Sequence, residues 1–334
     1  MNVPVGPPGS ELRAVVVPFA RADRSRSVVQ LITSLGLFFA VCATGYAAYP
    51  KSSLLSLALA LLAGGLLLRL FSIQHDCTHG SFFASRRANA WTGRLCSLFT
   101  FTPFLGWSRL HLLHHAKWND LKRSDLGDIY SSCLTVREYR ALPRSRRLLY
   151  RVPRHPLMSI VLLPPLIFAL LLRLPLDTPR ALVHEHRSFH LTNIALLALY
   201  GALALALGWE RVLVVQLPAV AVASIFGCWV LTVHHHFDKA RWLEPEAWDY
   251  VDASLAGSSW LGVPNIVHWL TGNLGIHHVH HLNARIPNYR LAEASATLQA
   301  RWKVEPVSLQ AALAAPWLAL WDEDAGRLVG FRHI

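Results

Sequence analysis

Five long apolar runs constrain this chain more than any other feature: residues 28–49, 53–73, 157–176, 191–209 and 212–233. A helix rises 1.5 Å per residue, so a run of ~20 residues can cross the ~30 Å hydrocarbon core of a bilayer. Composition agrees: 53% of residues are hydrophobic and only 16% charged, with a mean hydropathy of +0.33. Inside a bilayer every backbone polar group needs a partner within the protein, so helices are the expected elements. The chain reads as an all-α integral membrane protein, with a polar N-terminal tail at 1–27, a membrane domain at 28–291 and an extension at 292–334. The tail lacks a compact apolar core before a small-residue cleavage site and does not read as a removed signal peptide. Residues 91–107, with Arg94 and Pro103 inside and tryptophan at both ends, read as an interfacial helix.

The formal net charge is +12. Nucleic-acid binding is one source of such a surplus. Here the basic residues flank apolar runs, as the positive-inside rule expects, so no nucleic-acid partner is implied. Residues 117–155 carry ten Lys and Arg against four Asp and Glu, which places that stretch in the cytoplasm. The five cysteines are scattered without a CxxC pair, which argues against a disulfide framework or a zinc–cysteine site.

Twelve of the eighteen histidines fall in four clusters: His75 and His79; His111, His114 and His115; His234, His235 and His236; and His277, His278, His280 and His281. On a helix, residues at i, i+3 and i+4 share one face. A lone i, i+4 histidine pair is usually surface or packing. Four clusters at the ends of apolar runs are different, because ionisable groups at membrane depth are costly and usually functional. Neutral imidazole suits iron, zinc, copper or nickel, and the spacing alone does not choose among them.

A shared site requires all four clusters to face one compartment. Runs 28–49 and 53–73 return the chain to its starting side. Three full crossings between the second cluster and His235 would then strand His235 on the wrong face. One run must therefore enter and leave on the same side, and 157–176, with Pro164-Pro165 near its middle, is the expected one. The fold expected is four transmembrane helices, one re-entrant or interfacial segment, and a cytoplasmic histidine-rich helical cap.

The words around the histidines sharpen the reading. QHDCTHGSFF, HLLHHAKWNDLKRSDLGDIY, VHHHFDKARW and GSSWLGVPNIVHWLTGNLGIHHVHHLNARIPNYRL together resemble the histidine boxes of membrane-bound fatty acid desaturases, of the acyl-lipid branch, over about residues 30–291. The resemblance implies two non-haem iron ions and molecular oxygen as co-substrate. It implies as ligands His75, His79, His111, His114, His115, His235, His277, His280 and His281. His234 and His236 stand where a polar residue is expected, and His278 falls at the variable position of its box, expected as a surface or supporting imidazole. Metal-bound histidines usually donate their other N–H to a carboxylate, carbonyl or water; Asp76, Asp125, Asp128, Asp238 and Asn273 are candidates for that support. The substrate implied is an acyl lipid or acyl thioester, with delta-12 desaturation of oleoyl chains as the first expectation. No HPGG motif of a fused cytochrome b5 is present, so a separate electron donor, a ferredoxin or cytochrome b5-type protein, is implied. The arginine-rich stretch 137–154 could steer an acidic donor or bind anionic lipid headgroups.

Two other readings compete. A related histidine-box hydroxylase or ketolase, acting on carotenoid, alkane or sterol, would share the metal site and differ in product. A histidine-rich transporter or receptor belongs to another class, but a transporter should carry ionisable residues near the bilayer midplane, and here they gather at the ends. The composition, rich in Arg, Ala and Leu, fits a bacterial inner-membrane protein.

Overall fold

The computed structural model describes residues 9–122, 129–130 and 132–334. The N-terminal stretch is not simply a polar tail. Residues Gly9–Val16 form helix α1, because Leu12 and Val16 bury themselves in an apolar cluster with Leu291 and Leu298. Two long helices follow, α2 (Arg24–Ala48) and α3 (Ser53–His79), each started by a side-chain cap, from Asp23 and Ser52 respectively. α3 ends at Gly80, whose φ of 64° supplies the left-handed turn that stops a helix. At ~1.5 Å per residue, its 27 residues exceed the bilayer core by about 10 Å. The first histidine cluster is therefore the last turn of this helix, projecting beyond the apolar core, and not a separate loop after it.

The stretch expected as one interfacial helix is two: α4 (Arg86–Thr100) and α5 (Phe104–Ala116). Phe101 takes a φ of 58° and Pro103 follows, which breaks the helix there. α5 then runs on through the second histidine cluster. After it come strand β1 (Leu134–Thr135), α6 (Val136–Ala141) and α7 (Arg144–Arg151). The apolar run beginning at 157 is a broken helix: a π-helical turn (Leu157–Leu162), α8 (Leu163–Ala169) and a 3₁₀ turn (Leu171–Arg173). Its prolines start α8 after the π-helical turn. Both ends lie near histidine-bearing parts of the chain. His155 packs on Trp317, and the Asp177 carbonyl accepts from Arg109 of α5 at 2.6 Å.

α9 (Val183–Leu207) and α10 (Trp209–His235) complete the set of four helices long and apolar enough to cross a membrane. α10 extends to His235, so the third cluster also begins inside a helix. α3 and α10 cross closely. A Cβ on Gly64 would stand 2.7 Å from Val222 Cβ and 2.8 Å from the Ala219 carbonyl, so only glycine permits that approach. The remaining helices, α11 (Tyr250–Ala256), α12 (Asn265–Leu270), α13 (His277–Leu282), α14 (Leu291–Gln299) and α15 (Leu309–Ala314), build a cap over one end. Helix α15 ends at Ala314, and the chain goes on to strand β2 (Leu320–Asp322) and then β3 (Arg327–Val329). β1 pairs parallel with β2, and β2 antiparallel with β3.

The links at 49–52 and at 208 lie together, since Tyr49 Oη donates to Glu210 at 3.3 Å. Single cysteines in a cysteine-free background should test this arrangement. Substitutions at Lys51 and Glu210 should react with a membrane-impermeant reagent from one side, and a substitution at His184 from the other. Labelling of positions 184 and 210 from the same side would overturn the four-crossing topology.

Candidate metal centre

Four helix ends and turns bring their histidines into one buried space. The side chains of His75, His79, His111, His115 and His280 form one group whose candidate ligand atoms lie within 4.8 Å of one another, and His114, His235, His277 and His281 form a second. These are the nine histidines named from the boxes. The boxes do not map one to each group. His111 and His115 enter the first group while His114, on the same helix, enters the second. On α13 the split is reversed: His277 and His281 enter the second group and His280 the first. Helical geometry causes this. Positions i and i+4 are ~40° apart around the axis, whereas i+3 lies ~60° to the other side. Each HxxHH therefore straddles two sites, and α5 and α13 both bridge them. The groups adjoin where His115 and His281 stack, with ring centroids 4.2 Å apart.

The nitrogens converge. Nε2 of His111 is 3.0 Å from that of His79 and 3.1 Å from that of His115, and His115 Nε2 is also 3.0 Å from that of His280. In the second group, His277 Nε2 stands 2.8 Å from His281 Nε2 and 3.3 Å from His235 Nε2. An imidazole nitrogen has one in-plane position, holding either a proton or a lone pair. It cannot satisfy two such neighbours by ordinary hydrogen bonds. Lone pairs aimed at a shared ion explain the spacing: two nitrogens ~2.1 Å from a metal and at right angles stand ~3.0 Å apart. Protonation state agrees. Burial, reinforced by neighbouring histidines, pushes His111, His115, His277, His280 and His281 well below their usual value near 6.5, so these rings are neutral. The two groups fit a metal site.

Of the third cluster, only the central His235 joins a group. Its Nδ1 faces the Gly257 carbonyl at 3.1 Å, which fixes the tautomer that carries the lone pair on Nε2. His234 stacks on His277 at 3.6 Å, and His236 turns toward Trp242. His278 is fully buried beside Trp260, not on the surface, because on α13 it points away from both groups.

The expected supporting residues divide. Asp76 is buried; its Oδ1 lies 3.3 Å from His75 Nδ1, and its Oδ2 accepts from the Asn288 backbone N–H at 2.6 Å and from Asn288 Nδ2 at 2.8 Å. Asn273 reaches no histidine ring. It donates to the Asn288 carbonyl at 3.1 Å and acts only through that residue. Asp238 is exposed in the turn after α10 and, among the described residues, bonds to none of the histidines. Asp125 and Asp128 lie outside the described residues. Several contributors escaped the sequence reading. Asn288 holds Asp76 and accepts from Gln30 at 2.8 Å. Trp118, fully buried, lies 4.1 Å from the His281 ring, and Tyr250 Oη donates to the His281 carbonyl at 2.5 Å. Asn119 shares the Gly257 carbonyl with His235. Ser259 pins two clusters together: its N–H donates to the His234 carbonyl, and its carbonyl accepts from His277 and His278. The tryptophan directly after HLLHHAK was the available signal for one of these; the others carry none.

A membrane bundle whose helix ends converge on two imidazole groups defines a histidine-box membrane oxidoreductase. The family model described as fatty acid desaturase matches residues 52–310. Across 97% of this chain and 91% of the relative, the sequence is 37% identical to a fatty acid desaturase of Bacillus subtilis. It is also 26% identical to the sn-1 acyl-lipid omega-3 desaturase (ferredoxin) of Synechocystis, over 80% of this chain and 76% of that one. Identity to the sn-1 oleoyl-lipid 12-desaturase of Synechocystis is 27%, over 70% and 65%. The chain belongs to the membrane fatty acid desaturase family. It is an oxidoreductase that introduces double bonds into acyl chains.

The Asp76 contacts predict a measurable effect. Asp76→Asn should leave the protein in the membrane but loosen its metal by ~10–100-fold, because Asp76 orients a histidine without itself joining a group. Chelator competition reads this directly; unchanged retention together with full activity would remove Asp76 from the support of His75.

Proposed function

We propose that the two histidine groups hold two iron ions, one each, and that the enzyme removes two hydrogens from a long acyl chain. His75, His79, His111, His115 and His280 would hold one ion, and His114, His235, His277 and His281 the other. The observation that carries this reading is the double convergence of imidazole nitrogens. Iron bound there supplies the oxygen chemistry that an unactivated C–H bond demands. The protein's part is to keep these rings neutral, aim their lone pairs and exclude bulk water. His75, His114, His235, His277, His280 and His281 are all nearly or wholly buried. Two hydrogens from the chain, two external electrons and two protons reduce oxygen to two waters, so a reductant is required.

A separate ferredoxin or cytochrome b5-type protein would supply those electrons; the relative named for ferredoxin supports a ferredoxin as the first to test. The surplus of arginines at 137–154 supports histidine boxes that face the cytoplasm of a bacterial inner-membrane protein. The likeness to an oleoyl-lipid 12-desaturase favours a lipid-bound oleoyl chain, desaturated at delta-12.

Alanine at His79, His114 or His280 should abolish turnover while leaving the protein in the membrane. His280→Ala and His281→Ala should each remove about one of two irons, since they belong to different groups. Full turnover in any of the three would free that residue from the ligand set, and zinc in a fully active preparation would refute iron. Expression with labelled oleoyl and stearoyl chains, followed by double-bond location, tests the substrate. If only saturated chains gain a bond, the delta-12 assignment is wrong and the desaturase remains.

A further inference from the structure

A cleft of about 550 Å³ lies between α2, α3 and α12. Arg26, Arg69, Asn265 and His268 line it together with Gln30 and Asn288. Arg69 is the unusual member. It sits 16 residues into α3, ~24 Å from the outer end of that helix, which places it just inside the inner boundary of a ~30 Å core. Its guanidinium bonds to Ser34 Oγ at 3.1 Å and to the Trp269 carbonyl, and it lies 4.1 Å over the Trp269 ring. Among the described residues it has no carboxylate partner. A cation at that depth without a counter-ion normally marks a binding site.

Other features of the cleft point the same way. Arg26 adds a second guanidinium at the end nearer the cap, shared with the exposed Glu293 at 2.7 Å. Ile266 and Trp269 of α12 are exposed beside it, as residues at a lipid interface are. Asn288, in the cleft wall, is the residue that holds Asp76 beside His75.

We infer that this cleft seats the phosphate of a glycerophospholipid whose acyl chain is the one desaturated. Arg69 supplies the charge and a planar fork suited to phosphate oxygens. Arg26 and the amides of Gln30 and Asn265 complete a polar wall at headgroup height. A neutral diacylglycerol offers Arg69 only uncharged oxygens, without the charge of a phosphate. The inference rests on the desaturase reading for the acyl chain, while the seat itself is measured without turnover.

Native mass spectrometry of the purified, iron-loaded protein tests it, with dioleoyl-phosphatidylglycerol and dioleoylglycerol as probes in the same detergent. Phosphatidylglycerol should be retained in preference to the diglyceride, and Arg69→Gln should weaken that retention about tenfold or more, as loss of a charge-assisted contact does. Asn265→Glu, at an exposed position at the start of α12, should weaken it too by placing a carboxylate at the rim. Iron content reports whether each variant is folded. Four outcomes overturn the inference. They are equal retention of the two lipids, no effect of either variant, displacement by millimolar inorganic phosphate, or retention of oleoyl-CoA by a protein that does not hold phosphatidylglycerol. If phosphatidylglycerol is retained but no double bond forms, the seat stands and the proposed reaction fails.

Discussion

The structure depends on imidazole nitrogens facing one another in a largely buried space. Nε2 atoms 2.8–3.3 Å apart are tolerable only while the rings are neutral and their lone pairs have a common object. Each buried polar group left without a partner costs about 1–3 kcal/mol. Lone pairs forced to face one another carry a cost of that kind. Metal binding offsets it, so in such a site metal affinity and folding free energy are one quantity. The protein cannot readily relax the site in the metal's absence, because the rings belong to helices fixed by packing elsewhere.

Those fixed helices come from both the membrane and the cap. α3 and α10 cross tightly at Gly64 and deliver box one and His235 to the same end. The cap then adds the other two boxes through backbone pins. Ser259 joins the end of α10 to the start of α13, and Asn119 and Leu243 join the turn after box two to the strand-like stretch following His236. The Gly257 carbonyl serves both arrangements, accepting from Asn119 and facing His235. Even the terminal segments contribute, for α1 and α14 bury Leu12, Val16, Leu291 and Leu298 in a cluster that includes Val279 of α13.

The chain's ends of span also set where a lipid can approach. Helix α3 outruns the bilayer core, so His75 and His79 stand above the apolar region while Arg69 stays near its boundary. Between them lies Ser72, whose hydroxyl donates to the Thr271 carbonyl at 2.7 Å and ties α3 to the turn after α12. One helix thus carries a headgroup-level cation and a metal-facing histidine pair at a fixed axial separation, which a helix holds better than any loop.

Much of this was legible in the sequence. The apolar runs are long because a bilayer is ~30 Å thick, and that requirement acts on consecutive residues. The histidine spacings are legible because i, i+3 and i+4 neighbours are set by the helix itself. Parity alone required one run to return to its own side, and the broken helix Leu157–Arg173, shorter than the four candidate spans, fits that run. Other features needed the tertiary structure. Phe101 gives no sequence sign of its left-handed backbone, so two helices read as one. The strands are two or three residues long, too short to show an alternating pattern. Asp76 and Asn288 are 212 positions apart, and neither residue announces the other. Asp238, adjacent to the third cluster in sequence, faces solvent in space. The sequence by itself determined which histidines were available and that they must meet on one side. Only the tertiary structure decided which meet which, because a helix fixes angles within itself, while the pairing of helices depends on distant side chains packing together.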